Sequence, residues 1–235
     1  MAGKNQTGAP LKTTLLLPTL NEIEGMKAVM PRVKPEWVDE IVVIDGGSTD
    51  GTIEYARQMG YRVEHQTKTK GITGAYQEAL PLLRGDVVIS FSPDGNSVPE
   101  LIPALVTKMK EGYDMVIVSR YLGGAKSEDD DMVTAFGNWL FTTMINVLFG
   151  GHYTDSLVMF RGWKKDIVGS LMIHVPRAGF EPLLSIRCAK DKRRVSEIPG
   201  DEPKRIGGKR KMDPLKNGMD ILRLMWSEKF GAKTK

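Results

Sequence analysis

Short apolar runs rich in β-branched residues alternate with longer segments of helical period through the first half of the chain, the pattern of βαβ units and a largely parallel sheet. Thr13 to Leu17 (TTLLL), Glu40 to Ile44 (EIVVI), Tyr61 to His65 (YRVEH), Asp86 to Ser90 (DVVIS) and Asp114 to Ser119 (DMVIVS) read as strands. The segments after Glu22, Gly51, Ile72 and Val98 read as the helices between them. The expectation is an α/β fold, with a mostly parallel central sheet flanked by helices and ligands collected beyond the carboxyl ends of its strands.

After Ser119 the pattern changes. A Gly-containing acidic stretch, RYLGGAKSEDDD, leads to a helical segment, Thr134 to Phe149, whose apolar residues Trp139, Leu140, Phe141, Met144, Ile145, Val147, Leu148 and Phe149 occupy more than one helix face. Such a helix is either central core or in contact with lipid, and core is the expectation. A helix from about Phe180 to Ala189, a strand near RVSEIP, a mobile loop GDEPKRIGGKRKM and a terminal amphipathic helix from about Pro214 to Phe230 complete the chain.

Composition narrows the class. With 235 residues, 41% apolar and 26% charged, the chain is long enough for one full core. The single cysteine, Cys188, rules out an internal disulfide and reads as an inert core residue in a reducing compartment. No run approaches the ~20 consecutive apolar residues of a membrane span, and the N-terminus lacks the apolar core of a signal peptide, so a soluble or peripheral protein is expected. Charge is unevenly placed: residues 1–186 carry 18 Lys and Arg against 22 Asp and Glu, whereas residues 187–235 carry 15 against 7. That basic end favours phosphates, an anionic membrane surface or nucleic acid, with a solvated basic tail as the alternative.

Three strand ends carry candidate chemistry. The fourth strand runs into SFSPDGNS, where Ser92, Asp94, Asn96 and Ser97 offer oxygen ligands at a sheet edge. The first ends in PTLNE, either a capping turn or a nucleoside-binding edge. The second ends in IDGGSTDGT, which lacks the order of a dinucleotide fingerprint, of a Walker loop and of a calcium loop.

LLLPTLNE, IVVIDGGSTDGT, KGITGAYQEAL, GDVVISFSPDGNSVPE and VSRYLGG together resemble, in order and approximate spacing, the family 2 glycosyltransferases, and among them the dolichol- or polyprenyl-phosphate mannose synthase branch. The resemblance covers about Thr13 to Lys211. It implies a GT-A fold, a nucleotide-diphosphate sugar donor, Mg²⁺ or Mn²⁺, and a lipid-phosphate acceptor. Pro18, Thr19 and Glu22 would line the base and ribose pocket, with Asp45 accepting a hydrogen bond from the base. Lys70 and Gly71 would stand near the donor, and Ser92 and Asp94 at its diphosphate. Arg120 would lie beside the sugar or acceptor phosphate, Glu181 near the sugar, and Arg205 and Lys211 on a loop that closes over the phosphates. Asp94 and Asn96 would hold the metal. The implied organisation is one domain, 1–235: a nucleotide-binding half (1–119), an acceptor and sugar half (120–212) and the C-terminal amphipathic helix (213–235).

The chain departs from the family pattern twice: Gly46 follows Asp45 where a second acidic residue is usual, and Ser92 stands at the first position of the Asp-x-Asp metal motif. One carboxylate with substrate phosphates can still hold Mg²⁺ or Mn²⁺. A lipid-phosphate acceptor is already an anion and needs no strong base; a hydroxyl acceptor would need one, with Glu181 or Asp155 as candidates. The EDDD run reads as a solvated acidic loop, the three histidines have no ligand spacing, and the 13 methionines are mostly core filler, with a few on Thr134 to Phe149 or the last helix able to contact an acyl chain. The expected setting is cytoplasmic, with peripheral contact at the membrane and a homo-oligomer both compatible with it. A soluble or protein acceptor, or nucleotide-sugar binding without catalysis, are the alternative functions. The basic tail has no aromatic-and-basic recognition motif, so no nucleic-acid partner is expected.

Overall fold

The computed structural model describes residues 11–168, 179–207 and 213–231. Seven strands form one sheet: β1 (Thr13–Thr19), β2 (Glu40–Asp45), β3 (Arg62–His65), β4 (Val87–Ser90), β5 (Met115–Ser119), β6 (Arg161–Lys164) and β7 (Val195–Pro199), in the order β3-β2-β1-β4-β6-β5-β7. Every neighbouring pair is parallel except the two made by β6, which runs antiparallel to β4 and to β5. The described helices are α1 (Ile23–Val29), α2 (Thr52–Gln58), α3 (Gly71–Ala79), α4 (Ile102–Lys110), α5 (Met132–Phe149), α6 (Phe180–Lys190) and α7 (Pro214–Phe230).

The strands expected from apolar runs are where the pattern put them, because β1, β2, β4 and β5 are covered on both faces and their central residues are fully buried. The missed strand is β6, RGWK, which has two cations in four residues and no run to mark it. It is buried all the same. Arg161 spends its guanidinium on the carbonyls of Val158, Ser156 and Glu181 and on Ser185 Oγ, and Trp163 Nε1 donates to Ser90 Oγ at 2.9 Å. Around it Tyr76 stacks on Phe180, ring centroids 3.9 Å apart, closing the core between α3 and α6.

From β1 the chain winds outward to β2 and β3 on one side, and β4 opens the other side. That reversal between β1 and β4 is a topological switch point, where the loops beyond the strands splay apart and leave a crevice.

Helix α5 corrects the core expectation. Only Asn138, Thr142 and Ile145 are buried, whereas Val133, Phe136, Trp139 and Val147 are each at least 60% exposed. The helix faces the protein with its polar stripe: Thr142 Oγ1 shares a hydrogen bond with Ser156 Oγ at 2.8 Å, and Asn146 bonds both backbone groups of Tyr153. By length and composition α5 is also long and apolar enough to cross a membrane. α7 packs beside it, burying Ile221, Leu224 and Met225 and leaving Leu215, Met219, Trp226 and Phe230 exposed. Cys188 is buried, as expected, and burial pushes its thiol up to about 12.

Candidate active site

A cleft of about 690 Å³ opens at the carboxyl ends of β1, β2 and β4. Pro18, Thr19, Glu22, Lys70, Gly71, Ser92, Asp94, Asn96, Glu181 and Arg205, all expected from sequence, line it. Lys211 lies outside the described residues.

The turn after β4 forms the floor. Asp94 is 2% exposed; its Oδ1 accepts from the Asn96 backbone N–H at 3.2 Å, and its Oδ2 is 2.7 Å from Arg205 Nη2. The same strand of chain is latched twice, since the Ile206 N–H donates to the Asp94 carbonyl at 2.6 Å. α1 comes close enough to this turn that a Cβ on Gly25 would overlap the Pro93 carbonyl and Asp94 Cα, so the helix seats directly on the site's backbone.

Asp45 does not reach the cleft, a correction to its expected role at the base. It is fully buried, and its carboxylate accepts from Thr19 Oγ1 (2.8 Å), from the N–H groups of Gly47 (2.8 Å) and Ser48 (2.7 Å), and from Ser48 Oγ (2.5 Å). Four donors fill the lone pairs of one carboxylate, so Asp45 organises the turn and Gly46 is the residue that faces the ligand space. The PTLNE turn is not a helix cap: Glu22 sits at the N-cap of α1 without a side-chain capping bond. Instead Asn21, at φ 56°, takes the Thr49 N–H on its Oδ1 and stitches the first turn to the second.

Arg120 is likewise turned away from the ligand space. Its guanidinium is bound by Asp155 (2.7 Å), Asp130 (3.1 Å) and Glu202 (3.1 Å). Asp155 is fully buried in the same cluster, which removes it as a base for a hydroxyl acceptor. The acidic stretch before α5 is solvated only in part: Glu128 and Asp131 are exposed as expected, but Asp130 also accepts from Tyr121 Oη at 2.5 Å, Asp131 closes a capping box with Thr134 at the start of α5, and Asp129 lines the cleft.

Two carboxyls facing the cleft are held in their protonated form more readily than usual. Burial raises Glu181, against the opposing attraction of Arg161; burial also raises Glu202, against Arg120. Glu202, Gln66, Thr69, Asp129 and Asn217 line the cleft without having been marked by sequence. Gln66 and Thr69 lie just beyond β3, where the rule that ligands gather at strand ends pointed; Asn217 arrives on α7 and had no such signal.

The site can take a divalent cation only with help. Among the described residues no group of three or more His, Cys, Asp and Glu is assembled for a metal. Asp94 nonetheless holds a cation already, the Arg205 guanidinium, and Asn96 is beside it. One carboxylate and a neutral amide suit Mg²⁺ or Mn²⁺ when a ligand's phosphates complete the shell, so the residues present fit the group.

The family profile described as Glycosyl transferase family 2 matches residues 14–170. The chain belongs to that family. It is 27% identical over 214 residues to the glycosyltransferase AglJ of Haloferax volcanii (89% of this chain, 69% of that protein). It is 28% identical over 207 residues to the dolichol-phosphate mannosyltransferase of Pyrococcus furiosus (80% and 56%). It is 26% identical over 222 residues to the undecaprenyl-phosphate 4-deoxy-4-formamido-L-arabinose transferase of Pseudomonas syringae (88% and 63%). The chain thus spans 56–69% of the length of these relatives. Its GT-A fold is shared with the glucosyl-3-phosphoglycerate synthase of Mycobacterium tuberculosis, solved with Mn²⁺, uridine diphosphate and phosphoglyceric acid: TM-score 0.75, 23% identity, 95% of this chain and 80% of that one.

Proposed function

We propose that this family 2 glycosyltransferase moves a sugar, with inversion, from a nucleotide-diphosphate donor to a polyprenyl-phosphate or other lipid-linked acceptor. The observation that carries the reading is the placement of α7. Asn217 on that helix lines the cleft, while Met219, Leu222 and Trp226 on the same helix are exposed beside the apolar face of α5. A lipid with its phosphate in the cleft could lay its chain along this face. The relatives named for dolichol phosphate and undecaprenyl phosphate support the same acceptor class.

In this reading residues 1–119 hold the nucleotide, residues 120–212 the sugar and acceptor, and residues 213–235 the membrane-facing end. Pro18, Thr19 and Glu22 hold base and ribose. Lys70 and Arg205 are the cations available to a diphosphate that gains charge as the sugar leaves. Asp94, with Asn96, would hold Mg²⁺ or Mn²⁺, which when bound supplies further stabilisation of that charge. Glu181 is the carboxyl on the sugar side, and a phosphate acceptor asks no proton transfer of it. The protein works at the cytoplasmic face of a membrane as a peripheral enzyme.

The test is incubation of the purified protein with a membrane extract and labelled nucleotide sugars in Mg²⁺ or Mn²⁺. An organic-soluble labelled product is expected, and Asp94→Ala should remove most of it. Label found only in water-soluble or protein fractions would show a different acceptor.

A further inference from the structure

The loop between β3 and α3 has no regular structure, yet each backbone N–H from Gln66 to Thr69 is bound. Gln66 N–H donates to the Asp45 carbonyl at 2.8 Å. The next three all turn to one carboxylate: Glu78 Oε2 accepts from the Thr67 N–H (2.7 Å), and Oε1 from the N–H groups of Lys68 (2.9 Å) and Thr69 (2.7 Å). Both threonine hydroxyls join them, Thr67 Oγ1 at 3.3 Å from Oε2 and Thr69 Oγ1 at 2.6 Å from Oε1. A single side chain in the last turn of α3 thus does for this loop what a ladder or a helix does elsewhere, giving its backbone donors their acceptor.

The far end of the loop is closed from within. Gln66 Nε2 lies 3.1 Å from Thr69 Oγ1 and 3.0 Å from the Gly71 carbonyl, and Gly71 turns the chain into α3 through a left-handed backbone, φ 80°. Gly74 lets the loop lie against the helix, since a Cβ there would stand 2.3 Å from Thr69 Oγ1 and 2.8 Å from Gln66 Nε2. Lys70 is therefore the residue between two fixed ones, Thr69 and Gly71. Its own backbone is extended, and it lines the cleft beside them. Glu78 does not belong to the lining, so whatever it does for a ligand it does through the loop.

We infer that Glu78 is a positioning residue for the donor: by gathering residues 67–69 onto its carboxylate it fixes the backbone from which Lys70 reaches the diphosphate. This rests on the nucleotide-sugar reading of the cleft. A lysine has a long flexible stem, and it binds more tightly from a backbone already in place because less freedom is lost when the ligand arrives. The ionised carboxylate is the group required. An amide at position 78 keeps one oxygen and sets its NH2 either against the Thr67 N–H or against the N–H pair of Lys68 and Thr69, donor facing donor.

The test is a double-mutant cycle on the full chain, read by calorimetric titration with GDP and with UDP in Mg²⁺, taking whichever wild type binds more tightly. Glu78→Gln and Lys70→Ala should each weaken that nucleotide about tenfold, as loss of one charge-assisted contact gives. The double variant should bind within about twofold of Lys70→Ala alone, because two residues that act as one unit are not additive. Losses that multiply to about a hundredfold would show that Glu78 does not act through Lys70, and overturn the inference. So would wild-type affinity in either single variant, with the donor reading left intact. Should Glu78→Gln fail to fold, Gly74→Ala takes its place in the cycle: it keeps the carboxylate, displaces Thr69 and Gln66 from the helix side, and should show the same non-additivity with Lys70→Ala. Wild type that binds neither nucleotide would remove the donor reading itself, and the inference with it.

Discussion

Arg205 Nη2 lies 2.7 Å from Asp94 Oδ2, so the one buried carboxylate of the SPDGN turn is paired with a side-chain cation from the loop after β7. A divalent cation directed to Asp94 must compete with that guanidinium. In Mn²⁺ titrations followed by electron paramagnetic resonance, Arg205→Ala should bind Mn²⁺ about fivefold more tightly than wild type, matching about 1 kcal/mol for a partly exposed ion pair. Asp94→Asn should bind none in either background. Turnover should move the other way, because Arg205 is a cation available to the departing diphosphate. Unchanged Mn²⁺ affinity in Arg205→Ala would mean that the pair and the metal do not share a carboxylate.

Glu181 joins a functional position to a stability cost. Burial raises its carboxyl, and a group whose folded pKa lies above its unfolded value contributes most below the unfolded value and loses that contribution as pH rises through the folded one. At neutral pH the ionised group is therefore a burden. Glu181→Gln should raise Tm by about 2–4 °C at pH 7, and the gain should vanish near about pH 4, where the wild-type group is protonated in both states. Transfer activity should fall in the same variant. A lower Tm at pH 7 would show that the attraction to buried Arg161 outweighs desolvation.

Arg120 is predicted to act through the fold. Its side chain ties together β5, the stretch before α5, the Asp155 turn and Glu202. Arg120→Met leaves three carboxylates without their cation and should cost about 3–5 kcal/mol in urea denaturation. Full stability with lost turnover would instead return Arg120 to the ligand.

Much of this was legible in the chain, for identifiable reasons. Strands buried on both faces advertise themselves as apolar runs, and the residues just past them inherit the cleft; Thr19, Glu22, Lys70, Asp94 and Glu181 were placed on that logic and on family resemblance. Asp45 and Arg120 show its boundary. A motif position says that a charged group is needed near a site, not whether its hydrogen bonds point into the ligand space or into the supporting turn. Strand β6 escaped because RGWK carries charge that only a tertiary neighbourhood satisfies. α5 misled for the opposite reason: a helix apolar on more than one face does not reveal which side is protein when Asn138, Thr142 and Ile145 form the inner stripe.

The loop beyond β3 should loosen in acid. Burial acts against ionisation of Glu78, yet the Thr69 hydroxyl and the N–H groups of Thr67, Thr69 and Lys68 bring its carboxyl down to about 2. A depressed folded pKa means stability that is present above the ordinary value and lost as pH falls toward the folded one. Amide exchange at Thr67, Lys68 and Thr69 should accelerate as pH is lowered from about 4.5 toward 2, relative to base rates for exposed amides. Glu78→Gln should show fast exchange at these residues already at pH 6, with the difference from wild type closing in acid. Equal protection in the two proteins at pH 6 would show that the loop is held by something other than this carboxylate.

The apolar face is predicted to bind lipid rather than to hold the fold. Trp139 is 60% exposed and Trp226 69% exposed, and each has an aromatic neighbour on its own helix, Phe136 and Phe230. Lys216 and Arg223 stand on the same α7 with mostly exposed side chains, where they can meet anionic headgroups while the indoles enter the interface. Trp139→Ser combined with Trp226→Ser should lower binding to vesicles containing anionic phospholipid by more than about tenfold, since each exposed indole would otherwise leave water on docking. The same change should leave unfolding free energy within about 0.5 kcal/mol, as for surface positions. Transfer to a water-soluble acceptor analogue should persist in the double variant while transfer to acceptor in vesicles falls. Vesicle binding that survives both substitutions would assign the α5 and α7 face to another surface, and a large loss of stability would show that the indoles are packed.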